Sequence, residues 1–385
     1  MQKLIRAIAL VLLAVMALGA VAGCSAVNAN PVVGKVGDVD LTLASYTSVL
    51  DGLKQYYDYG AIELKDPDHP MEELKQKAFD DLIDAMIPVA IAKRDGVTLT
   101  AEEETAVTEE VEQQIQTSLD QTTQYIGEGA SEEAKTSYFK KQLRNSGYTF
   151  EQYKEAVSND LRNQKLAEKV KAQAQASAEA TEEVMRLWYD EELKYEKENY
   201  TKDIASHFSM LKYYPYITGV PPIYCPPGYI YIKQILIMNP EEGEEKDVDA
   251  IVAEVQKKLD AGEDFDALLA EYNEDEGAAA NPNGYLYNDA VASEYDSAFS
   301  EAASKLKEGE ISGPVVTQFG TCFLKRDGVR EEAEIPYEVL EEQIREYTLK
   351  TAQEDAYTAA LEKWRGELEI VTYPQRVANV TVNNG

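Results

Sequence analysis

Two apolar runs stand at the ends of the stretch from Tyr231 to Asp327: Ile235-Leu236-Ile237 at its start and Cys322-Phe323-Leu324 near its close. Runs this short, rich in Ile, Tyr and Phe, read as strands. Helical spacing fills the interval. Val248, Ile251, Val252, Val255 and Leu259 line one face of a helix that stops at Gly262. Phe265, Leu268, Leu269 and Tyr272 open a second helix, and Phe299, Ala302 and Leu306 form a short third. The loop from Glu276 to Gly284 is rich in Ala, Asn and Gly, and Val315-Val316 is a further strand, followed by a tight turn at Phe319-Gly320. The order β-α-α-β-α-β-β predicts an antiparallel sheet with helices packed against it.

The flanks read differently. Val32 to Leu50 begins with a strand-turn pattern and passes into a helix start. Met71, Leu74, Ala78, Leu82 and Met86 keep a three-to-four spacing and share one helix face, which Pro88 is expected to break or kink. Gly96 suits a C-terminal cap. Thr100 with Glu103, and Thr149 with Gln152, have the spacing of capping boxes. Val107, Val111, Ile115 and Leu119 follow the first box, and Tyr153, Val157 and Leu161 the second. Thr181 heads a helix with Val184, Leu187 and Trp188 inside. Such stripes are ordinary core packing or an open surface that holds unfolded chains, and periodicity does not separate the two. Five prolines between Pro215 and Pro227, with interleaved tyrosines, read as a linker or an ordered loop. Tyr337, Leu340, Ile344 and Tyr347, then Tyr357, Leu361 and Trp364, return to helical spacing, and the phrase ELEIVTYP ends in a short strand.

At the N-terminus, Lys3 and Arg6 precede an apolar run from Ala7 to Ala22 that is too short to span a bilayer. Val21-Ala22-Gly23-Cys24 matches the lipobox of bacterial lipoproteins, so Cys24 is the expected lipidation site and membrane anchor, with an ordinary secretory leader or an uncleaved anchor as the alternatives. A net charge of −33 repels nucleic acid and anionic headgroups. Outside the cytoplasm Cys225 and Cys322 allow one intrachain bridge. They read equally as a free loop thiol and a buried strand residue. With His69 and His207 the only histidines, no zinc site, other metal or cofactor is expected.

The phrases AGEDFDALLAEYNED, AFSEAASKLKEGEISGPVVTQFG and KQILI together resemble a parvulin-type peptidyl-prolyl isomerase domain over about a quarter of the chain. The helical flanks resemble those of PrsA- or SurA-type extracytoplasmic foldases. The resemblance implies an α+β protein: a helical chaperone domain built from N- and C-terminal segments together, with the parvulin-like sheet domain inserted. The expected boundaries are a leader at 1–23, a tether at 24–33, the helical domain at 34–210, a linker at 211–229, the parvulin-like domain at 230–328, a completing C-terminal helix at 329–373 and a tail at 374–385.

It also implies site residues. Phe299 and Leu286 fall on the family's proline cup, and Tyr295 stands where a methionine is usual. Asp275 falls beside the substrate carbonyl, and Thr317 on a threonine of the polar network. Gln234 and Cys322 replace the family's paired histidines, and the loop before Leu286 carries an extra residue. The expected partners are unfolded secreted polypeptides with X-Pro segments, met at the outer face of the cell membrane and without nucleic acid. The implied activity is an isomerase weakened by the loss of the histidine pair, and a non-catalytic holdase, whose parvulin-like unit only binds peptide, is the main alternative.

Overall fold

The computed structural model describes residues 31–145, 148–241, 243 and 245–380. The leader at 1–23 and Cys24 lie outside the described residues. In chain order the strands are β1 (Val32–Val36), β2 (Val39–Thr42), β3 (Tyr224–Cys225), β4 (Tyr229–Met238), β5 (Tyr285–Tyr287), β6 (Val315–Val316), β7 (Gly320–Arg330), β8 (Ala333–Glu334) and β9 (Ile370–Thr372). The helices are α1 (Leu43–Asp58), α2 (Pro70–Asp95), α3 (Ala101–Gln121), α4 (Thr123–Ile126), α5 (Glu132–Asn145), α6 (Phe150–Gln175), α7 (Glu182–Tyr200), α8 (Ile204–Thr218), α9 (Val248–Asp260), α10 (Phe265–Tyr272), α11 (Ser297–Ala303) and α12 (Tyr337–Glu367). The chain divides into two compact units, residues 1–178 with 352–385, and residues 179–351.

The first unit is helical with a small sheet ordered β2-β1-β9. Its N-terminal hairpin turns at Gly37, and β9 adds the far end of the chain to the other side of β1. Thr42 caps α1, and both capping boxes form, Thr100 with Glu103 on α3 and Thr149 with Gln152 on α6. Gly96 ends α2 in the left-handed conformation (φ 69°), which costs glycine little. Leu74, Ala78 and Leu82 are fully buried, with Met71 and Met86 packed at the margin of the same core. Leu361, Trp364 and Leu368 of α12 and its extension join that core from the C-terminal segment. A second cluster joins Val107, Val111, Ile115 and Leu119 of α3 to Val157 of α6.

Pro88 does not break α2, which runs through it from Pro70 to Asp95. Proline removes one intrahelical donor, a cost of about 3 kcal/mol. Ile87, Val89, Ala90, Ile91 and Ala92 are all buried around it. Burying several such side chains, at about 1.5–3 kcal/mol for each large one, outweighs one lost bond.

In the second unit β4 pairs antiparallel with β5 and β7, and β7 with β6, so the sheet order is β5-β4-β7-β6. Alternation along β4 and β7 sends side chains to two cores. Ile235, Ile237 and Phe323 pack on α9 and α10, while Ile232, Leu236, Cys322 and Leu324 pack on α11. Helix α8 extends to Thr218, so helix occupies the first half of the stretch read as a linker. It is fixed to the sheet by buried His207, whose Nδ1 lies 3.0 Å from Tyr229 Oη, and by Tyr229 Oη donating to the Ile204 carbonyl at 3.0 Å. On α7 the inward residues are Met185, Trp188 and Tyr189, packed on Tyr337, Leu340 and Ile344, whereas Val184 and Leu187 are exposed. Apolar residues occupy both sides of α7, and the tyrosine pair Tyr189–Tyr337, with rings 5.7 Å apart, belongs to the buried one.

Candidate functional site

The site starts where α10 ends. Asn273 Oδ1 accepts from Leu236 N at 2.9 Å, Glu274 N donates to the Leu236 carbonyl at 2.9 Å, and Glu274 Oε2 accepts from Met238 N at 2.6 Å. This run of Asn-Glu-Asp is therefore laced to β4, and the next residue, Asp275, is set over Gln234. Asp275 caps the 3-10 turn Glu276–Ala280 by accepting from Gly277 N at 2.9 Å through Oδ1. Its other oxygen accepts from Gln234 Nε2 at 2.7 Å and from Tyr285 Oη at 2.6 Å. The carboxylate is thus fixed by three donors from three segments.

Two glycines make this approach feasible. A Cβ on Gly277 would lie 2.4 Å from Tyr285 Oη, and one on Gly284 would lie 2.8 Å from the Ile232 carbonyl group. Gly284 also has φ +96°, a conformation side-chain-bearing residues avoid. Burial and the adjacent Asp275 carboxylate push the Tyr285 phenol well above its ordinary range, so it stays a donor.

An aromatic wall adjoins the carboxylate. The Tyr285 ring lies 6.3 Å from Tyr295, and Tyr295 stacks on Phe299 at 5.2 Å with 20° between planes. Tyr287 completes the cluster, 5.9 Å from Tyr295 and 6.3 Å from Phe299. Phe299 and Tyr287 are buried, and burial pushes the phenols of Tyr287 and Tyr295 up to about 12. The structure brings Phe299 and Tyr295 together but puts Leu286 elsewhere. Leu286 pairs with Tyr231 while Tyr285 and Tyr287 pair with Ile232 and Ile230, so alternation turns it to the opposite side of the sheet. Tyr287 takes the place beside the ring pair. A one-residue difference in register is enough for this, because it exchanges the two faces of a strand.

Thr317 serves the β6–β7 turn: its N and Oγ1 donate to the Gly320 carbonyl at 2.8 and 2.9 Å, and Oγ1 accepts from Phe319 N at 3.2 Å. Asp296, which caps α11, accepts from Gln318 N at 3.2 Å and ties that turn to the helix bearing Phe299. This backbone bond leads the contacts that hold the Asp296 carboxyl below its usual range. Cys322 is fully buried beneath Phe299, and burial pushes its thiol up to about 12. Cys225 is buried too, and both thiols are free. Gln234 and Asp275 are thus the expected polar residues that meet, whereas Thr317 and Cys322 bond or pack elsewhere. Tyr285 and Tyr287 are additional. Among the described residues no His, Cys, Asp or Glu cluster is placed to hold a metal, and no helix is long and apolar enough to cross a membrane.

Residues 234–328 match the family described as the PPIC-type PPIASE domain, and residues 1–167 the SurA-like N-terminal domain. A foldase protein PrsA of Clostridium botulinum (strain 657 / Type Ba4) is 32% identical over 155 residues, which are 39% of this chain and 42% of that protein. Matches to these first relatives thus span less than half of their length. The foldase protein PrsA of Clostridium acetobutylicum is 25% identical over 381 residues, 96% of this chain and 98% of that protein. The crystal structure of PrsA from Bacillus subtilis aligns with 88% of this chain and 93% of its own at 19% identity, with a TM-score of 0.22. The chain joins a SurA-like N-terminal domain to a PPIC-type, or parvulin, domain, and along almost its whole length it is similar to PrsA foldases.

Proposed function

We propose that the chain is an extracytoplasmic foldase whose parvulin domain isomerises X-Pro bonds in unfolded or partly folded secreted polypeptides. The observation that carries this reading is the Asp275 carboxylate, held by Gln234, Tyr285 and Gly277 beside the ring wall of Tyr295, Phe299 and Tyr287. Rotation about the amide faces a barrier of about 18–20 kcal/mol because resonance is lost on twisting. No bond breaks, so no nucleophile is needed. The ring wall binds the proline. A fixed negative charge beside the carbonyl opposes the planar form, in which that oxygen carries extra negative charge, and so favours the twisted amide. Only such differential stabilisation raises the rate.

The residues that stand in for the histidine pair divide unequally. Gln234 helps to fix Asp275, whereas buried Cys322 is a wall of the core. Tyr285 supplies a second side-chain donor to the same carboxylate. Hydrogen bonds to charged groups contribute about 1.5–3 kcal/mol, so Tyr285→Phe is expected to lower isomerisation by about tenfold with the fold intact. NMR exchange on X-Pro peptides, with the full chain lacking its leader, tests both statements. Wild-type protein that binds these peptides without accelerating exchange would remove the isomerase reading. That result would favour the holdase alternative, which draws support from exposed Tyr213, Tyr216 and Ile217 on α8.

The anchor belongs to the same proposal. Cys24, at the end of Val21-Ala22-Gly23, becomes the lipid-bearing N-terminus and holds the foldase at the outer face of the cell membrane. Cys24→Ser is expected to release the protein into the medium or leave it unprocessed. Intact mass checks this, and an unmodified N-terminus at another residue contradicts it.

A further inference from the structure

A cleft of about 520 Å³ opens at the β5 edge of the sheet, lined by Phe208 and Leu211 of α8, Tyr231 of β4, Leu286 of β5, Tyr295 and Arg330. Its size is that of a site for one or two side chains. It shares Tyr295 with the ring wall: one side of that residue stacks on Phe299 at 5.2 Å, and Phe208 of the cleft lies 6.2 Å away. The Tyr295 phenol donates to the Leu286 carbonyl at 2.6 Å, which fixes the shared wall and covers an outward backbone acceptor of the edge strand. Leu286, turned away from the proline wall, faces this cleft instead.

The charge of the cleft is uneven. Lys212 and Glu294 at its lip pair with each other at 2.5 Å. Arg330 has no such partner among the described residues. Its guanidinium lies near the buried Cys225 thiol, His207, which burial holds neutral, and the Tyr229 phenol. Glu332, which also acts on that thiol, accepts from the Tyr224 phenol at 2.7 Å. A chain with net charge −33 thus leaves one guanidinium uncompensated at an aromatic cleft. Its planar fork suits a carboxylate.

We propose that this cleft is a second peptide subsite, which takes an acidic side chain of a client segment whose proline lies against the ring wall. The subsite rests on the isomerase reading for the place of the proline, but its test reads binding rather than turnover.

The probes are three labelled peptides of one sequence, with Glu, Gln or Lys on both sides of a central proline. Their affinities for the full chain lacking its leader are measured by anisotropy at low salt. The Glu peptide is expected to bind about tenfold more tightly than the Gln peptide, a charge-assisted contact at the low end of its range. The overall negative field acts the other way, so this order cannot come from bulk charge. Arg330→Gln should bring the Glu-to-Gln ratio to within about twofold, and Arg330→Lys should keep part of it. Leu211→Glu, an anion placed at the cleft, should abolish the preference should Arg330→Gln prove unstable. A wild-type ratio near one, or a preference that survives these variants, overturns the subsite. The same Glu and Gln peptides with alanine for proline separate the two readings: an Arg330-dependent Glu preference that persists when proline adds no affinity keeps the subsite and removes the proline wall. No binding of any peptide overturns both.

Discussion

A chain that stops at Thr351 will fail to fold its N-terminal helical unit. The missing segment supplies β9, whose Ile370, Val371 and Thr372 pair with Val36, Lys35 and Gly34 of β1. Two further backbone bonds close the seam, Gly37 N to the Glu369 carbonyl at 2.8 Å and Tyr373 N to the Val33 carbonyl at 2.7 Å. A Cβ on Gly34 would lie 2.7 Å from the Val371 carbonyl oxygen, so the two strands meet at a place shaped for close approach. Leu361, Trp364, Leu368 and Ile370 pack on the main core, and Val377 is buried within it. At about 1.5–3 kcal/mol for each fully buried apolar side chain, and less for the partly buried ones, removing these five costs on the order of 10 kcal/mol. That is comparable with the whole stability of a domain, about 5–15 kcal/mol. The ion pairs Arg94–Glu367 at 2.8 Å and Arg365–Asp84 at 3.0 Å are exposed and add little. Far-UV circular dichroism and limited proteolysis of the truncated protein should show helices α1 to α6 largely unfolded. A truncated protein that melts like the intact one, with the same helical signal, would show that the N-terminal segment folds without β9 and the end of α12.

The same unit shows what local chemistry announces. A capping box needs only a hydroxyl and a carboxylate or amide three residues apart, so Thr100 with Glu103 and Thr149 with Gln152 were legible without any knowledge of the fold. Gly96 was legible for the same reason, since its left-handed φ is a property of the helix end. Features decided by partners were not. Val184, Met185, Leu187, Trp188 and Tyr189 offer α7 more than one apolar side, and the packing of Tyr337, Leu340 and Ile344 selects among them. Pro88 marks a lost hydrogen bond in the sequence but says nothing of the buried residues that keep the helix intact. In the candidate site, the meeting of Gln234 and Asp275 is legible from the motif that carries them. The places of Tyr285 and Tyr287 are not, because they depend on register. The register of β5 on β4 puts Tyr287, and not Leu286, on the side of the ring wall. The glycines at 277 and 284 were the available signal for Tyr285. What they make room for, a phenol 2.6 Å from a carboxylate, appears only once the loop is folded onto β4.

Asp275→Asn and Phe299→Ala should fail in different ways, and the difference decides how the site works. Phe299 is buried, stacked on Tyr295 and packed on Cys322 and Leu324 of the sheet. In the proposed site its ring belongs to the surface that would meet proline in both the planar and the twisted amide. Removing it therefore takes away uniform binding, and affinity and rate per encounter should fall together. A Phe→Ala change in a core also costs about 3–5 kcal/mol, so the variant must be compared below its own melting transition. Asp275 is different. Gln234, Tyr285 and Gly277 already hold its carboxylate, and asparagine keeps the size and part of that bonding while removing the charge. If the charge acts by opposing the planar resonance form, its loss raises the barrier without touching the grip on the ring. Losing one preorganised electrostatic contact commonly lowers a rate by about 10²-fold or more. Asp275→Asn is therefore expected to lower kcat by about that factor with less than a twofold change in peptide affinity. NMR exchange gives the rate and titration the affinity on the same samples. Should Asp275→Asn weaken binding as much as it slows exchange, the carboxylate is a gripping group and the electrostatic account of catalysis fails. Should it change neither, the Gln234–Asp275–Tyr285 network is a brace for the loop, and the ring wall alone acts on the proline.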